Sequence, residues 1–147
     1  MITLRRITMD NFHDVLNLEL TDDDKKMVAP NMYSLAEAYA DQVSIARAVY
    51  EGDTLVGFVM YDYNAPEKKG YLSRLMIASA HQGRGYGREA LRLAVEDLKR
   101  SPGIERIQIS YHPDNEKARR SYRSVGFIEN GEMVQNEVVA MLELIKK

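Results

Sequence analysis

The most constraining stretch of this chain is a change of hydrophobic period across one glycine-rich turn. Tyr71 to Ile77 is β-prone, and Leu91, Ala94, Val95 and Leu98 recur at helical spacing; Gln82-Gly83-Arg84-Gly85-Tyr86-Gly87 lies between the two patterns. The helical stripe ends before Ser101-Pro102-Gly103, and Arg106 to Tyr111 is again strand-like. A strand, a crossover helix and a second strand predict a parallel pair covered by that helix, because a short hairpin would reverse the chain. The rest of the fold must be built around this unit.

Upstream, Ile2 to Ile7 predicts a strand, with Thr8 as a candidate N-cap before Phe12, Val15 and Leu16 at helical spacing. The acidic stretch Asp22 to Asp24 reads as a solvated loop. Ser34 and Glu37 form a capping box that predicts a helix with Leu35, Ala38 and Val43 inward. Ser44 to Tyr50 and Thr54 to Tyr63 flank Glu51-Gly52-Asp53, a hairpin signature, and a turn at Ala65 to Gly70 leads into the next strand. Asn115 to Val125 predicts a helix stopped by Gly126, after which Phe127 onward and Val138 to Leu144 supply two strands around a turn at Gly131. The order β-α-α-β-β-β-α-β-α-β-β is that of an α/β protein of the α+β kind, a mixed sheet covered by helices. With 147 residues, no repeat and no linker, one domain over 1–147 is expected.

Composition narrows the function classes. A formal charge of −2 gives no excess of cations for nucleic acid. The chain has no cysteine, which removes disulfides, thiolate metal sites and a cysteinyl intermediate. His13, His81 and His112 are scattered without ligand spacing, so no metal is expected. Met1 to Met9 lacks the apolar run of a leader or spanning helix, which points to the cytoplasm and away from a membrane.

The turn has a chemistry of its own. A helix start leaves backbone N–H groups unpaired, and the helix dipole favours an anion there. Gly83, Gly85 and Gly87 allow positive φ and close approach of phosphate oxygens, and Arg84 and Arg88 add charge. A strand-to-helix loop that uses glycine for geometry alone is the competing reading. Arg88-Glu89 after the last glycine rules out a P-loop, and the spacing of the glycines is not that of a dinucleotide fingerprint.

Gln82-x-x-Gly85-x-Gly87 after Leu75-Met76-Ile77 resembles the acetyl-CoA signature of the GNAT superfamily of N-acyltransferases. Asn115, Lys117, Ala118, Tyr122 and Gly126-Phe127 resemble its later motif, N-x-x-A-x-x-x-Y-x-x-x-G-F. The resemblance implies a GNAT-like fold with a splayed parallel strand pair, acetyl-CoA as donor, and cofactor contacts from Leu75, Met76, Ile77, Gln82, Gly83, Arg84, Gly85, Tyr86, Gly87, Arg88, Asn115, Lys117 and Ala118. It also implies direct transfer to an amine, with Tyr122 as general acid, since a phenol with pKa of about 10 is protonated at neutral pH. Dimerisation through C-terminal elements is a further implication.

An amine of pKa about 10.4 is neutral in only about one molecule in a few thousand at pH 7, so its proton needs an acceptor. Where many superfamily members place a carboxylate, this chain has Leu72, Ser73 and Arg74. Glu37, Glu132, Glu137 or a tyrosine acting through water are the alternatives. Val28 to Tyr39, with Arg74-Leu75-Met76-Ile77 and Tyr111 to Asn115, resembles bacterial diamine, spermidine and spermine acetyltransferases. That resemblance implies a small-molecule polyamine acceptor bound by Glu37, Tyr33 and Arg74. It also implies that Glu19, Asp22 to Asp24, Glu37 and Asp41 stand in a wall of the cleft where carboxylates attract a polycation, the alternative to a solvated loop at Asp22 to Asp24. Acetylation of a protein or peptide amine, and a non-catalytic acetyl-CoA-binding module, are the other readings.

Overall fold

The computed structural model describes residues 1–144, so residues 145–147 of the expected domain lie outside the described part. Its seven strands are β1 (Ile2–Arg6), β2 (Ile45–Glu51), β3 (Thr54–Asn64), β4 (Lys69–Ile77), β5 (Arg106–Tyr111), β6 (Ile128–Val134) and β7 (Glu137–Glu143). They form one mixed sheet in the order β1-β2-β3-β4-β5-β7-β6. Only β4 and β5 run parallel, as the crossover predicts.

Five α-helices accompany the sheet: α1 (Phe12–Leu16), α2 (Asp22–Lys25), α3 (Asn31–Asp41), α4 (Tyr86–Lys99) and α5 (Glu116–Val125). The α4 stripe packs as its period dictates, with Ala90, Leu91, Ala94, Val95 and Leu98 buried together with Val59, Tyr61, Ile107 and Ile109. A second cluster on Val15, Ala48, Phe58, Met60 and Met76 is covered by Leu35 and Ala38 of α3. The central strands are thus covered on both faces, while β6 is exposed along its length.

Several expectations are corrected. Asp22 to Asp24 is the helix α2 rather than a loop, because Thr21 Oγ1 accepts from the Asp24 N–H at 3.1 Å. The Ser34–Glu37 capping box does not form. Pro30 enters the helix with its fixed φ of −58°, its carbonyl accepts from the Ser34 N–H, and Ser34 lies buried one turn inside. Val43 lies beyond the end of α3 and is exposed. The last hairpin turns at Gln135 and Asn136, whose φ values of 50° and 67° make a two-residue turn with both centres left-handed. Gly131 lies within β6, where the pairing with β7 is irregular.

Candidate active site

The sheet opens where the β4–β5 ladder stops. The strands pair from Lys69↔Arg106 to Leu72↔Ile109 and then part, leaving Ser73 to Ile77 without a partner on that side. The cause lies one strand over. Met60 faces Arg74 while Tyr61 faces Leu72, so Ser73 is an extra residue on β4, and such a bulge bends its strand and sharpens the twist. Gly57 helps from behind, since β4 approaches β3 there so closely that a Cβ would lie 2.4 Å from the Met76 carbonyl oxygen.

The gap is part of a cleft of about 910 Å³. Its walls include Arg74, Leu75, Met76, Ile77, Gln82, Gly83, Gly85, Tyr86, Gly87, Arg88, Asn115, Lys117, Ala118 and Tyr122. Both motifs therefore face one cavity. Arg84 is exposed outside the lining. Tyr33 is exposed and also stands outside it, as does Glu37, which reaches the cleft only through an ion pair with Arg74 at 3.2 Å.

The turn is built for a ligand at the start of α4. Gly83 and Gly85 both have φ of 81°, and nothing lies within 4 Å of a Cβ added at either. Gly87 does not need a positive φ, contrary to expectation; it lies in the helix and leaves its outer side clear. No side chain caps Gly85, so the first N–H groups of α4 keep their donors for something else. Gln82 fixes the turn to the gap by donating to the Ile77 carbonyl at 2.8 Å and to Asp24 Oδ2 at 3.0 Å. Lys117 Nζ completes a triangle, donating to Gln82 Oε1 at 3.1 Å and to Asp24 at 3.3 Å. Burial opposes ionisation of Asp24, but the donations from Gln82 and Lys117 and the Lys117 charge outweigh it and hold the carboxyl below its ordinary value.

The second motif is the anatomy of a short helix that fixes Tyr122. Asn115 Oδ1 caps α5 by accepting from the Ala118 N–H at 3.1 Å, so this side chain serves the helix. At the other end Gly126 is left-handed, the Gly126 N–H bonds to the Arg123 carbonyl, and the Phe127 N–H bonds to the Tyr122 carbonyl, a Schellman closure. The rings of Phe127 and Tyr111 then pack on Tyr122, with centroids at 6.3 and 5.3 Å. Among the described residues no protein group hydrogen-bonds the Tyr122 hydroxyl. Burial, followed by the negative charge of Glu137, raises its pKa far above the ordinary phenol value, so it remains protonated.

Sequence reasoning missed Lys26, Ser110, Arg120, Gln135 and Asn136 as lining residues, whereas Asp24 of the expected acidic wall does line the cleft. Thr21-x-x-Asp24 was a legible helix start, and Arg120 lies on α5 three residues after Lys117. The others follow from tertiary placement. Among the proton acceptors considered, Glu137 lines the cleft and Glu132 does not. No cluster of three metal-ligating side chains exists among the described residues, and no helix there is long and apolar enough to cross a membrane.

The family described as Acetyltransferase (GNAT) matches residues 5–127. The spermine/spermidine N(1)-acetyltransferase of Bacillus subtilis (strain 168) is 32% identical over 154 residues, spanning 97% of this chain and 99% of that protein. An acetyltransferase from Thermus thermophilus superposes with a TM-score of 0.75 at 22% identity, over 98% of this chain and 97% of the other. The spermidine N-acetyltransferase from Vibrio cholerae, in complex with CoA and spermine, gives a TM-score of 0.73 at 18% identity, over 97% and 95% of the two chains. At those identities the two structures share the fold with this chain.

Proposed function

The chain belongs to the acetyltransferase (GNAT) family, and on that premise we propose that it transfers an acetyl group from acetyl-CoA to a primary amine, with spermidine, spermine and short diamines as acceptors. The observation that carries the reading is the single cleft that joins the glycine turn to Tyr122 through the parted strands. The similarity to a spermine/spermidine acetyltransferase over nearly the whole chain supports the acceptor class.

The residues present fit acetyl-CoA. Free helix-start donors and unobstructed glycines suit a pyrophosphate, and Lys26, Arg88 and Arg120 supply cations around the cleft. The unpaired edge of β4 from Ser73 to Ile77 offers backbone groups to an amide-bearing arm, and one N–H there can stabilise a developing oxyanion. Acetyl-CoA supplies an activated acyl carbon to the bound amine. Tyr122 holds a proton for the sulfur released as the C–N bond forms and the C–S bond breaks, and recovers one from solvent as the amine sheds its own. Lys117, bound to Asp24 and Gln82, fixes the turn and ties the α2 wall to it.

One domain, a cytoplasmic location and a homodimer complete the proposal. Both core clusters lie on one sheet, which supports the first. Donor and acceptor are intracellular metabolites, which supports the second. Edge strand β6 exposes Ile128, Met133 and Val134, and its unpaired outer edge is suited to a second copy. The test of function is incubation with acetyl-CoA and a panel of amines, following free CoA. Turnover on spermidine, spermine or short diamines is expected. Acetylated peptides with indifference to polyamines would overturn the acceptor class, and acetyl-CoA binding without any turnover would leave only a binding module.

A further inference from the structure

We propose that Glu137 receives the attacking amine: its carboxylate binds the protonated primary amino group and holds it beside Ser110, where β5 parts from β4. The inference rests on the amine-acetylation reading above. Among the described residues two carboxylates line the cleft, Asp24 and Glu137. Asp24 is committed to Gln82 and Lys117. Among the described residues Glu137 accepts only from Ser110 Oγ, at 2.9 Å through Oε1, forms no ion pair, and accepts nothing at Oε2. An ammonium supplies the charge and the donors that this half-buried carboxylate lacks among the described residues.

Its position is fixed by the fold. Glu137 is the first residue of β7, directly after the left-handed pair Gln135 and Asn136, and all three residues line the cleft. The two-residue turn fixes where β7 begins and so sets the position of Glu137. Ser110 belongs to the part of β5 that no longer pairs with β4, so the hydrogen bond anchors Glu137 at the gap. Glu137 and the candidate acid Tyr122 line the same cleft. Glu137 recognises the ammonium, and before attack the amine loses its proton to bulk solvent at a cost set by how far its pKa of about 10.4 lies above the working pH.

Glu137→Gln isolates the charge, because the amide oxygen still accepts from Ser110. The expected result is a KM for the preferred amine raised about 10- to 100-fold, the range of a charged hydrogen bond. The KM for acetyl-CoA and the melting temperature stay at wild-type values, and Glu137→Asp restores part of the loss. An unchanged amine KM, a loss confined to kcat, or an equal rise in the KM for acetyl-CoA overturns the assignment. If the wild-type protein turns over no amine, the proposed function fails instead. Calorimetric titration of spermidine into the wild type and the Glu137→Gln variant, each with CoA present, then decides the site, and equal affinities overturn it.

Discussion

Adding one methyl group at Gly57 should damage the cleft from behind. The constraint there is space, since Gly57 does not have a left-handed φ. A Cβ at this position would meet the Met76 carbonyl oxygen at 2.4 Å and Ile77 Cδ1 at 2.7 Å. The Ile77 side chain can rotate away, but the carbonyl belongs to the β3–β4 ladder, where Gly57 faces Ile77. Real Cβ contacts begin near 3.0 Å, so Gly57→Ala must drive the Met76 backbone back by about 0.6 Å. Overpacking of this kind costs about 1–3 kcal/mol, which for a chain of this length lowers the melting temperature by about 2–12 °C. Met76 and Ile77 also line the cleft, and displacement of a positioning strand by a sizeable fraction of an ångström should weaken acetyl-CoA use about tenfold in kcat/KM. Thermal unfolding and steady-state kinetics well below the melting temperature give both readouts. Wild-type values in both would refute the close approach. A lower melting temperature with unchanged kinetics would refute the link from Gly57 to the gap.

Gly87→Ala should separate stability from ligand use. The added Cβ meets only Ile77 Cγ1 at 3.5 Å, so the free protein should gain about 0.4–1 kcal/mol while acetyl-CoA binding by calorimetry weakens. A gain without weaker binding would remove the glycine from the ligand site. Tyr122→Phe keeps the ring packing and loses the proton, so turnover should fall about 100-fold or more with acetyl-CoA binding retained; unchanged turnover would remove it as the acid. Asp24→Asn tests the triangle by pH. The folded pKa of Asp24 is lowered, so its charge contributes stability above the ordinary carboxylate value of about 3.9 and loses it as pH falls through the folded value. The variant should melt below the wild type at pH 7 and match it near pH 2, and a gap that persists in acid would refute the electrostatic account.

What the sequence displays, it displays through local rules. The α4 stripe is written in a period of 3.6, and Asn115 and Gly126-Phe127 are the start and stop of α5, so the element carrying Tyr122 is legible residue by residue. The failures are also local signals, but ones that a neighbour overrides. Ser34-x-x-Glu37 satisfies the capping pattern, yet Pro30 starts the helix one turn earlier and Glu37 pairs with Arg74 on the sheet. Gly131 is a plausible turn residue, yet the pairing of Val134 with Glu137 puts the turn at Gln135 and Asn136. That shift is what brings Glu137 to the cleft, and no rule of spacing contains it. Ser73 is illegible for the same reason, because a bulge is a mismatch between two strands and belongs to neither sequence alone.

The site and the fold's irregularity are one feature. A sheet interior normally satisfies every backbone group, and an open edge ordinarily recruits another strand. Here the bulge at Ser73 and the methyl-free surface of Gly57 let the end of β4 leave β5, which creates an edge inside the sheet rather than at its rim. The cleft around it admits a slender amide-bearing chain more readily than a second protein's strand, since α4, α5 and the β6–β7 turn contribute walls on several sides. An unpaired strand edge that would be a liability on the surface thus becomes selective by enclosure. The walls of that enclosure divide the work: the glycine turn and the start of α4 suit the anionic donor, and Glu137 at the tip of β7 is the one lining carboxylate among the described residues left for a cation.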